Sequence, residues 1–318
     1  MRAALLLLPL LAVCIAHAAA SPADDSLRLR VMSFNIRYAN PGDGANRWEK
    51  RRDLAFETIR KYDPDILCLQ EALKPQLDDI LTAFPGYAHA GVGRDDGKSA
   101  GEYAAILYRR ERFAAWSDST FWLSDTPQLP GSKSWGNNVT RICSFVELTD
   151  QTTMKAVTVF NTHLDHESQP AREKGVELIC AYLDRCKGPY ILAGDFNMGR
   201  DNSAMQKLLA IRKWQKPPWP AGKKEPCWVV VDGPPRVIDS YRVVHGVGGI
   251  EGTYHAFTGR TEGERIDFIF IERLLPAWRF LSSDILRDNE NGRYPSDHFP
   301  VTATIALHVP SRWRGQKH

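Results

Sequence analysis

Apolar residues are arranged along the chain in two ways, as short runs and at helical spacing, and these two patterns distinguish predicted strands from predicted helices. Short apolar runs predict strands at residues 27–36, 65–72, 103–109, 141–148, 154–164, 190–196, 265–271 and 299–307. Apolar residues at helical spacing predict helices at residues 47–62, 73–84, 167–186 and 203–213. Strands and helices that are mixed along one chain favour two packed sheets with helices outside, so we predict an α/β protein.

The first twenty residues follow a different pattern. A positive charge at Arg2 precedes an apolar run over residues 3–15 and small residues at 18–20. This order is typical of a secretory signal peptide with cleavage near Ala20. The apolar run is shorter than a typical membrane-spanning helix, so we expect no stable membrane insertion. We expect a secreted or periplasmic protein. Residues 21–318 contain no repeat or linker, which predicts a single domain, and we expect a monomer.

Two segments lack a regular pattern. Residues 113–138 contain tryptophans among polar and glycine positions, and residues 214–235 are rich in proline, tryptophan and glycine. We predict that both are irregular, and that the second is a surface loop and a candidate for facing a substrate.

Composition restricts the function only a little. The hydrophobic fraction is 43% and the charged fraction 25%, which are ordinary values for a globular protein. A net charge of +3 is too small to argue for or against nucleic acid. The five cysteines after the signal peptide show no zinc-binding spacing, and we expect free thiols or one disulfide, with Cys180–Cys186 or a pairing to Cys227 as the candidates.

Polar residues stand at the ends of the predicted strands. They are Asn35, Glu71, His163, Asp195, Asn197, Asp267, Asp297 and His298. Taken singly, each is better explained as a turn, a helix cap or a hydrogen-bonded structural residue. Taken together, they suit one hard cation and a phosphate. In an extended chain Asp195 and Asn197 would also point to one face.

The segments that carry these residues are SFNIR, LQEA, NTHLDH, GDFNM, RIDFIF and SDHFP. In this order they resemble the endonuclease/exonuclease/phosphatase superfamily over about residues 28 to 308. The resemblance implies a four-layer α/β sandwich, with two packed mixed β-sheets flanked by helices, and magnesium-dependent hydrolysis of phosphoesters. GVGRDDGKSAGEY and STFWLSDTP resemble an exported bacterial-type branch whose substrates are unassigned.

The resemblance implies a role for each residue of the metal side. Glu71 is our first choice as ligand of Mg²⁺, with Mn²⁺ as an alternative ion. Asn35 and Asp297 are expected to contact the ion directly or through water, because magnesium keeps several waters. Asp195 would position and deprotonate the attacking water, and Asn197 would hold the phosphate or that water.

The phosphate side follows from the same resemblance. His298 would face the phosphate and be oriented by Asp267, and His163 would be a second imidazole there. Glu102 would brace His163, and Arg141 would contact phosphate, although a surface ion pair explains either residue about as well. Family members differ in which group is the acid and which the base, and this sequence leaves that open. The residues Asp165, His166 and Arg172 would shape the pocket or cap the next helix.

Three functions remain open at this point. The first is a secreted nuclease or other phosphodiesterase, with nucleic acid as a candidate partner stacked on loop aromatics, namely Trp122, Trp135, Trp219, Tyr254 and Phe257. The second is a phosphatase or phosphodiesterase for a sugar, nucleotide or lipid-head-group phosphate, favoured by the absence of an elongated basic stripe. The third, a binding protein without catalysis, is disfavoured because every site position carries the residue type that the chemistry needs.

Overall fold

A computed structural model describes residues 26–209, 236–273 and 278–308. Several predicted features lie outside the described residues: the expected signal peptide, the end of the predicted helix 203–213, and the whole proline-rich segment 214–235 with Trp219 and Cys227.

Strands and helices alternate along the described chain. The strands are β1 (Leu27–Asn35), β2 (Ile66–Ala72), β3 (Tyr87–Ala90), β4 (Tyr103–Arg109), β5 (Phe113–Trp122), β6 (Ile142–Asp150), β7 (Ala156–His163), β8 (Tyr190–Asp195), β9 (Val237–Asp239), β10 (Asp267–Glu272), β11 (Trp278–Ile285) and β12 (Val301–Leu307). The helices are α1 (Trp48–Tyr62), α2 (Lys74–Ala83), α3 (Gln169–Leu183), α4 (Ser203–Leu208) and α5 (Ser240–His245). A 3-10 segment, Pro41–Asn46, precedes α1.

The strands form two six-stranded sheets. Their orders are β11-β12-β1-β2-β4-β3 and β5-β6-β7-β8-β10-β9. Each sheet is mixed, because β1 and β2 pair in parallel in the first and β7 and β8 pair in parallel in the second, whereas their other pairs are antiparallel. The parallel pairs matter for function, because parallel neighbours finish at the same edge of a sheet.

A dry core lies between the two sheets. Val31 and Ile106 of the first sheet and Val159 and Ile269 of the second belong to one buried cluster. The outer face of the first sheet packs against α1 and α2, and that of the second against α3 and α4, each through a buried cluster of its own. The predicted four-layer α/β sandwich is therefore confirmed.

Local signals set the helix ends. The predicted helix at 167–186 begins at Gln169, because the Ser168 hydroxyl accepts a hydrogen bond from the backbone N–H of Ala171 and Pro170 follows directly. At the C-terminal end of α1, Asp63 adopts a left-handed conformation that stops the helix.

The prediction for residues 113–138 is wrong in its first part, because residues 113–122 form β5. This strand lies at the edge of its sheet, its middle is exposed, and its pairing shifts between Ala115 and Ser117. Because the middle of β5 is exposed on both faces, burial imposes no alternation there, which explains the missing signal. The edge strand β11 was also not predicted; its Trp278 and Phe280 pack on the core, but a shift in pairing between Phe280 and Ser282 interrupts the alternation.

The cysteines of the described chain are free thiols. Cys68 and Cys143 are buried, and Cys180 and Cys186 are unpaired, so a Cys180–Cys186 disulfide is absent. Burial raises the pKa of the Cys180 thiol to about 11, which makes it unreactive.

No helix in the described ranges is both long and apolar enough to cross a membrane.

Gly194 sets the close approach of β8 to β7. Its φ is +151°, and a Cβ atom there would lie 2.1 Å from the carbonyl oxygen of Thr162. We expect Gly194→Ala to lower the free energy of unfolding by about 3 kcal/mol, because β8 would have to move away from β7 to make room for the added Cβ atom. Urea titration measures this. Gly188→Ala is the matched control, because a Cβ there meets no atom within 4 Å; equal stability of the two variants would contradict the prediction.

Candidate active site

The ends of both parallel strand pairs border one cavity of about 580 Å³. Asn35 ends β1, Glu71 is the second-last residue of β2, His163 ends β7 and Asp195 ends β8. The lining residues are Arg37, Tyr38, Glu71, Arg94, Glu102, Val139, Arg141, His163, His166, Asp195, Asn197, Tyr254, Ile266, Asp297 and His298.

The structure brings all ten predicted site residues together at this cavity. Eight of them are among its lining residues. The other two, Asn35 and Asp267, lie directly behind the lining and hold it by hydrogen bonds. Asn35 donates to Glu71 and Asp195, and Asp267 accepts from His298.

A bulge turns Glu71 into the cavity. The pairing of β2 with β4 shifts between Leu69 and Ala72, and Glu71 has a φ of +62°. Glu71 Oε2 accepts a hydrogen bond of 3.1 Å from the backbone N–H of Tyr38. Its other oxygen, Oε1, accepts a 3.0 Å bond from the Asn35 amide, which donates a second bond of 2.9 Å to Asp195 Oδ2. A strained residue at a sheet edge is a frequent mark of function.

Two carboxylates, Glu71 and Asp297, share the acidic side of the cavity, and Arg37 is a loose ion-pair partner of both. The Arg37 guanidinium stays 4.0 Å from Glu71 Oε2 and 3.9 Å from Asp297 Oδ2, because it pairs with Asp43 at 3.0 Å. Burial raises the pKa of the Asp297 carboxyl; His298 opposes that shift, and the negative charge of Glu71 adds to it. Carboxylate oxygens whose charge is only partly compensated fit a hard divalent cation.

Asp195 is the buried centre of the site. It is 1% exposed, its Oδ2 lies 3.5 Å from His163 Nε2 and 3.8 Å from His298 Nε2, and Asn35 donates to it. Burial and the nearby negative charge of Asp267 raise the pKa of the Asp195 carboxyl to about 7. This carboxyl can therefore take up or release a proton near neutral pH.

Asn197 reaches the cavity for a different reason from the one predicted. The chain is not extended there: Asn197 has a φ of +50° and its backbone N–H donates to Asp195 Oδ1 at 2.9 Å, so the strand ends in a tight turn. The side-chain Nδ2 donates to the carbonyl of Leu164 at 3.0 Å. Within the described part of the chain, Asn197 Oδ1 has no donor and stays available to a ligand.

The two histidines are held in opposite charge states. Burial disfavours the charge of His298, but Asp267, which accepts from its Nδ1 at 2.9 Å, and Asp195 together raise the pKa of His298 well above 6.5. Burial and the positive charge of Arg141 lower the pKa of His163 well below 6.5. These opposite shifts favour an imidazolium at His298 and a neutral imidazole at His163, a division typical of acid and base roles.

A second group of candidate ligand atoms lies next to the first. One atom each from Asp195, Asp267 and His298 lies within 4.8 Å of the others. His298 Nδ1 is already bonded to Asp267, and a nitrogen ligand suits magnesium poorly. The chemistry of this group therefore suits proton handling, whereas the all-oxygen Glu71 side suits a hard cation.

The basic side of the cavity is built around Arg141. Its side chain is almost fully buried at 4% exposure, its Nη2 donates to His166 Nδ1 at 2.7 Å, and its Nε lies 3.5 Å from Asp165 Oδ2. Arg172 does not line the cavity; it donates to the backbone carbonyl of Asp165 at 2.8 Å and supports the loop before α3.

Glu102 lies beside His163 but does not form the expected bracing bond. The distance from His163 Nδ1 to Glu102 Oε2 is 3.8 Å, too long for a hydrogen bond, and Nδ1 has no partner in the described structure. Glu102 instead pairs with Arg94 Nη1 at 2.5 Å. Arg94 was not predicted as a site residue, although it stands inside the GVGRDDGKSAGEY segment.

Arg51 is a second residue that sequence reasoning missed. It lies on the buried face of α1 with Trp48 and Ala55, and its guanidinium donates to the carbonyls of Asn46, Ile36, Arg37 and Pro295. The available signal was a charged residue on the apolar stripe of a helix. Pro295 directly precedes the Ser296-Asp297-His298 segment, so Arg51 ties that segment to the end of β1.

Of the four predicted aromatic residues that the structure describes, one lines the cavity. Tyr254 lines the cavity, is 51% exposed, and has its ring 5.1 Å from that of His298. Trp122 is buried and donates to the carbonyl of Arg94, and Trp135 donates to Asp125. Phe257 packs near the Arg51 guanidinium. Tyr254 is thus the described aromatic residue best placed to contact a ligand.

Known proteins share the sequence pattern and the fold of this chain. The profile of the Endonuclease/Exonuclease/phosphatase family matches residues 32–298. A family protein of known structure from Bacteroides vulgatus is 31% identical, with a TM-score of 0.75, covering 89% of this chain and 100% of that one. A mannosyl-6-phosphatase from Bacteroides thetaiotaomicron is 32% identical, with a TM-score of 0.73, covering 87% and 99%.

A viral protein and a human protein domain are also similar to this chain. An uncharacterised protein of Acanthamoeba polyphaga mimivirus is 30% identical over 181 residues, which is 53% of this chain and 67% of that protein. The catalytic domain of human Nocturnin, 18% identical, has the same fold with a TM-score of 0.64. The chain therefore belongs to the endonuclease/exonuclease/phosphatase family of phosphoesterases.

Proposed function

We propose that this protein is a metal-dependent hydrolase of small phosphate monoesters, with a sugar phosphate as its substrate. The observation that carries the proposal is the division of one cavity into an acidic side, with Glu71 and Asp297, and a basic side, with Arg94 and Arg141. A phosphoryl group placed between them would have a cation on one side and guanidinium donors on the other. Phosphoryl transfer requires this combination of positioning and charge stabilisation.

The walls of the cavity support a small substrate. The loops over residues 91–102 and 123–141 carry the two arginines and pack against each other; Gly97 lies on the ring of Pro130. The cavity volume of about 580 Å³ is ordinary for a small-molecule site. A terminal phosphate enters such a pocket from one side, whereas a nucleic-acid strand must leave it on both sides of the cleaved bond.

The similar mannosyl-6-phosphatase supports a sugar phosphate in particular. It is 32% identical over nearly its full length. This similarity suggests a substrate of the same chemical class and does not identify the individual sugar. We therefore favour the small-phosphoester interpretation over the nuclease-like one.

We assign the metal position to Glu71, with Asn35 and Asp297 as direct or water-mediated ligands, and propose Mg²⁺, with Mn²⁺ as a substitute. The oxygen donors fit this ion type, and the nearest guanidinium, Arg37, stays 3.9 to 4.0 Å from the carboxylate oxygens of Asp297 and Glu71. A bound divalent cation would neutralise phosphate charge and polarise the phosphoryl group.

The residues of the chain would divide the proton transfers. Asp195, with a carboxyl pKa of about 7, accepts a proton from the attacking water. Asn197 Oδ1 orients that water. The His298 imidazolium, fixed by Asp267, donates a hydrogen bond to the phosphoryl or leaving oxygen. Neutral His163, 3.5 Å from Asp195 Oδ2, contacts the phosphate from the other side.

Glu71→Gln tests the metal assignment. We expect the Mg²⁺ concentration for half-maximal activity to rise by about 100-fold or more, because a ligand change exceeds the 10–100-fold effect of a supporting residue. Phosphate release over a Mg²⁺ titration measures this, and EDTA should abolish activity. Glu49→Gln, at an exposed position on α1, is the control. An unchanged Mg²⁺ requirement in Glu71→Gln would refute the assignment.

The substrate class is tested with three substrates for the wild-type protein. They are mannose 6-phosphate, bis(4-nitrophenyl) phosphate and supercoiled plasmid, each with Mg²⁺ and with EDTA. We expect kcat/KM for the sugar phosphate to exceed that for the diester, and the plasmid to stay intact. Plasmid nicking that EDTA abolishes, without phosphate release, would favour the nuclease instead. A folded protein inactive on all three would favour a binding protein.

We also propose that residues 1–20 direct export. The support is the charged, apolar and small-residue order of that segment. Expression of the full chain in a Gram-negative host, followed by N-terminal sequencing of the periplasmic fraction, should give a chain that begins near Ser21. An intact N-terminus in the cytoplasm would contradict the proposal.

A further inference from the structure

The loop between β3 and β4 is built to hold one shape. Its backbone closes on itself through bonds from Gly93 to Lys98, from Arg94 to Glu102 and from Asp95 to Ala100, each of 3.0 or 3.1 Å. The Asp96 carboxylate accepts further bonds from the backbone N–H groups of Lys98 and Ala100. So many internal bonds in twelve residues define a rigid loop rather than a solvated connection.

Contacts from outside fix the same loop at the position of Arg94. The Trp122 indole donates to the carbonyl of Arg94 at 2.6 Å. Gly101 has a φ of +82°, and a Cβ atom there would lie 2.4 Å from the Asp95 carboxylate, so the return of the loop past Asp95 requires glycine. The Cα of Arg94 is therefore held from both sides of the loop.

The guanidinium of Arg94 is only partly used by the protein. Its Nη1 pairs with Glu102, and the side chain keeps 14% exposure at the cavity. Its Nε is buried without a hydrogen bond and lies 3.9 Å from Asp95 Oδ1, a loose ion pair. Among the described residues, no acceptor engages Nη2. Glu102 thus orients the guanidinium and leaves donors for a ligand, next to Arg141 on the neighbouring loop.

We propose that Arg94 is the specificity-determining residue of the cavity and binds the terminal oxygens of a phosphate monoester. The inference rests on the proposed function and adds to it the residue that separates monoesters from diesters. The rigid loop then serves to hold a second guanidinium at a fixed place beside Arg141.

The charge of the substrate explains why a second arginine would matter. A phosphate monoester carries a charge of about −1.5 to −2 near neutral pH and three terminal oxygens. A diester carries one charge and two such oxygens. One guanidinium can serve both esters, and the second adds a charge-assisted hydrogen bond that only the monoester can fully use.

A purely structural role is the competing explanation. Arg94 could serve only to neutralise the Glu102 carboxylate, whose side chain is 15% exposed. Loss of Arg94 would then distort the site and lower the turnover of both esters together. The two explanations differ in the ratio of the two activities, which a general distortion does not change.

The test compares Arg94→Gln and Arg94→Lys with the wild-type protein and with Lys98→Gln. Lys98 is exposed on the same loop and does not line the cavity, so it gives the same charge change away from the site. The measurements are kcat/KM for mannose 6-phosphate, kcat/KM for bis(4-nitrophenyl) phosphate, and the Kd of inorganic phosphate with Mg²⁺ by calorimetry. The Kd readout does not depend on turnover.

For Arg94→Gln we expect the monoester kcat/KM to fall by about 100-fold and the phosphate Kd to rise similarly, since charge-assisted bonds have this strength. The diester kcat/KM should change by less than about threefold, Arg94→Lys should recover part of the loss, and Lys98→Gln should resemble wild type. Equal losses on both esters, or an unchanged phosphate Kd, would overturn the role of Arg94 alone. A wild-type protein that prefers the diester would overturn this role together with the proposed monoester function.

Discussion

Replacing Asp195 with asparagine is expected to lower kcat by about 10²–10⁴-fold, the range typical for loss of a general base. The asparagine keeps the shape of the side chain but cannot take a proton from water. Phosphate release from mannose 6-phosphate with saturating Mg²⁺ measures the loss. Asp201→Asn, six residues further on and exposed, is the control and should retain wild-type turnover.

The same substitution should not weaken the fold. The folded protein raises the carboxyl pKa of Asp195 from 3.8 to about 7, so the folded state binds the proton more tightly than the unfolded state. This acid therefore costs stability progressively as pH rises from about 4 through 7, and the full cost is present at pH 8. In EDTA at pH 8, Asp195→Asn should unfold at the wild-type temperature or above it. Near-normal turnover in this folded variant would refute the role of Asp195.

Replacing Arg51 with methionine should cause the largest loss of stability, about 4 kcal/mol or more. Methionine fills much of the same volume but leaves four carbonyl oxygens without the donors that Arg51 supplies. Each buried acceptor left unsatisfied costs about 1–3 kcal/mol. Burial lowers the pKa of Arg51 to about 10, so the residue is still charged at neutral pH and its bonds are charge-assisted.

The neighbouring arginine provides the control for Arg51. Arg52→Met removes a 3.4 Å ion pair with Asp79 from a side chain that is 44% exposed. We expect a change within about 0.5 kcal/mol in urea unfolding, as for other surface pairs. Similar losses in the two variants would show that Arg51 does not hold the end of β1 to Pro295.

Loss of Arg51 should also reduce activity in the fraction that remains folded. Its bonds to Ile36 and Pro295 join the end of β1 to the segment before Asp297, and Ser296 adds a bond to the Asn35 carbonyl at 2.7 Å. These contacts set the distance between Asn35 and Asp297, which we assign to the metal. The Mg²⁺ requirement of the variant should therefore rise.

The strand ends were the part of the site that the sequence could predict. Apolar runs that finish in Asn35, Glu71, His163 or Asp195 indicate strands whose last residues face a shared edge, and this edge is where the structure brings them together. The order of the motifs then gave the family and the layered fold. Asn197 was placed correctly for the wrong reason, because a turn, rather than an extended strand, directs it to the cavity.

The residues that were missed depend on contacts distant in sequence. Arg51 acts on a carbonyl 244 residues away, and a helical pattern says nothing of such a partner. Arg94 lies in a loop whose shape depends on Trp122 and on the neighbouring loop. The edge strand β5 lacks alternation because its middle is exposed on both faces and its pairing is bulged. In each case tertiary packing decides what the local sequence leaves open.

A crystal of the protein soaked with Mn²⁺ and inorganic phosphate would test the central claim most directly. Anomalous scattering locates the manganese without assumptions about the site. We predict manganese beside Glu71, with Asn35 and Asp297 in its immediate surroundings, and phosphate between that ion and Arg141, next to His298. Manganese bound instead by Asp195, Asp267 and His298, or phosphate bound outside this cavity, would contradict the account.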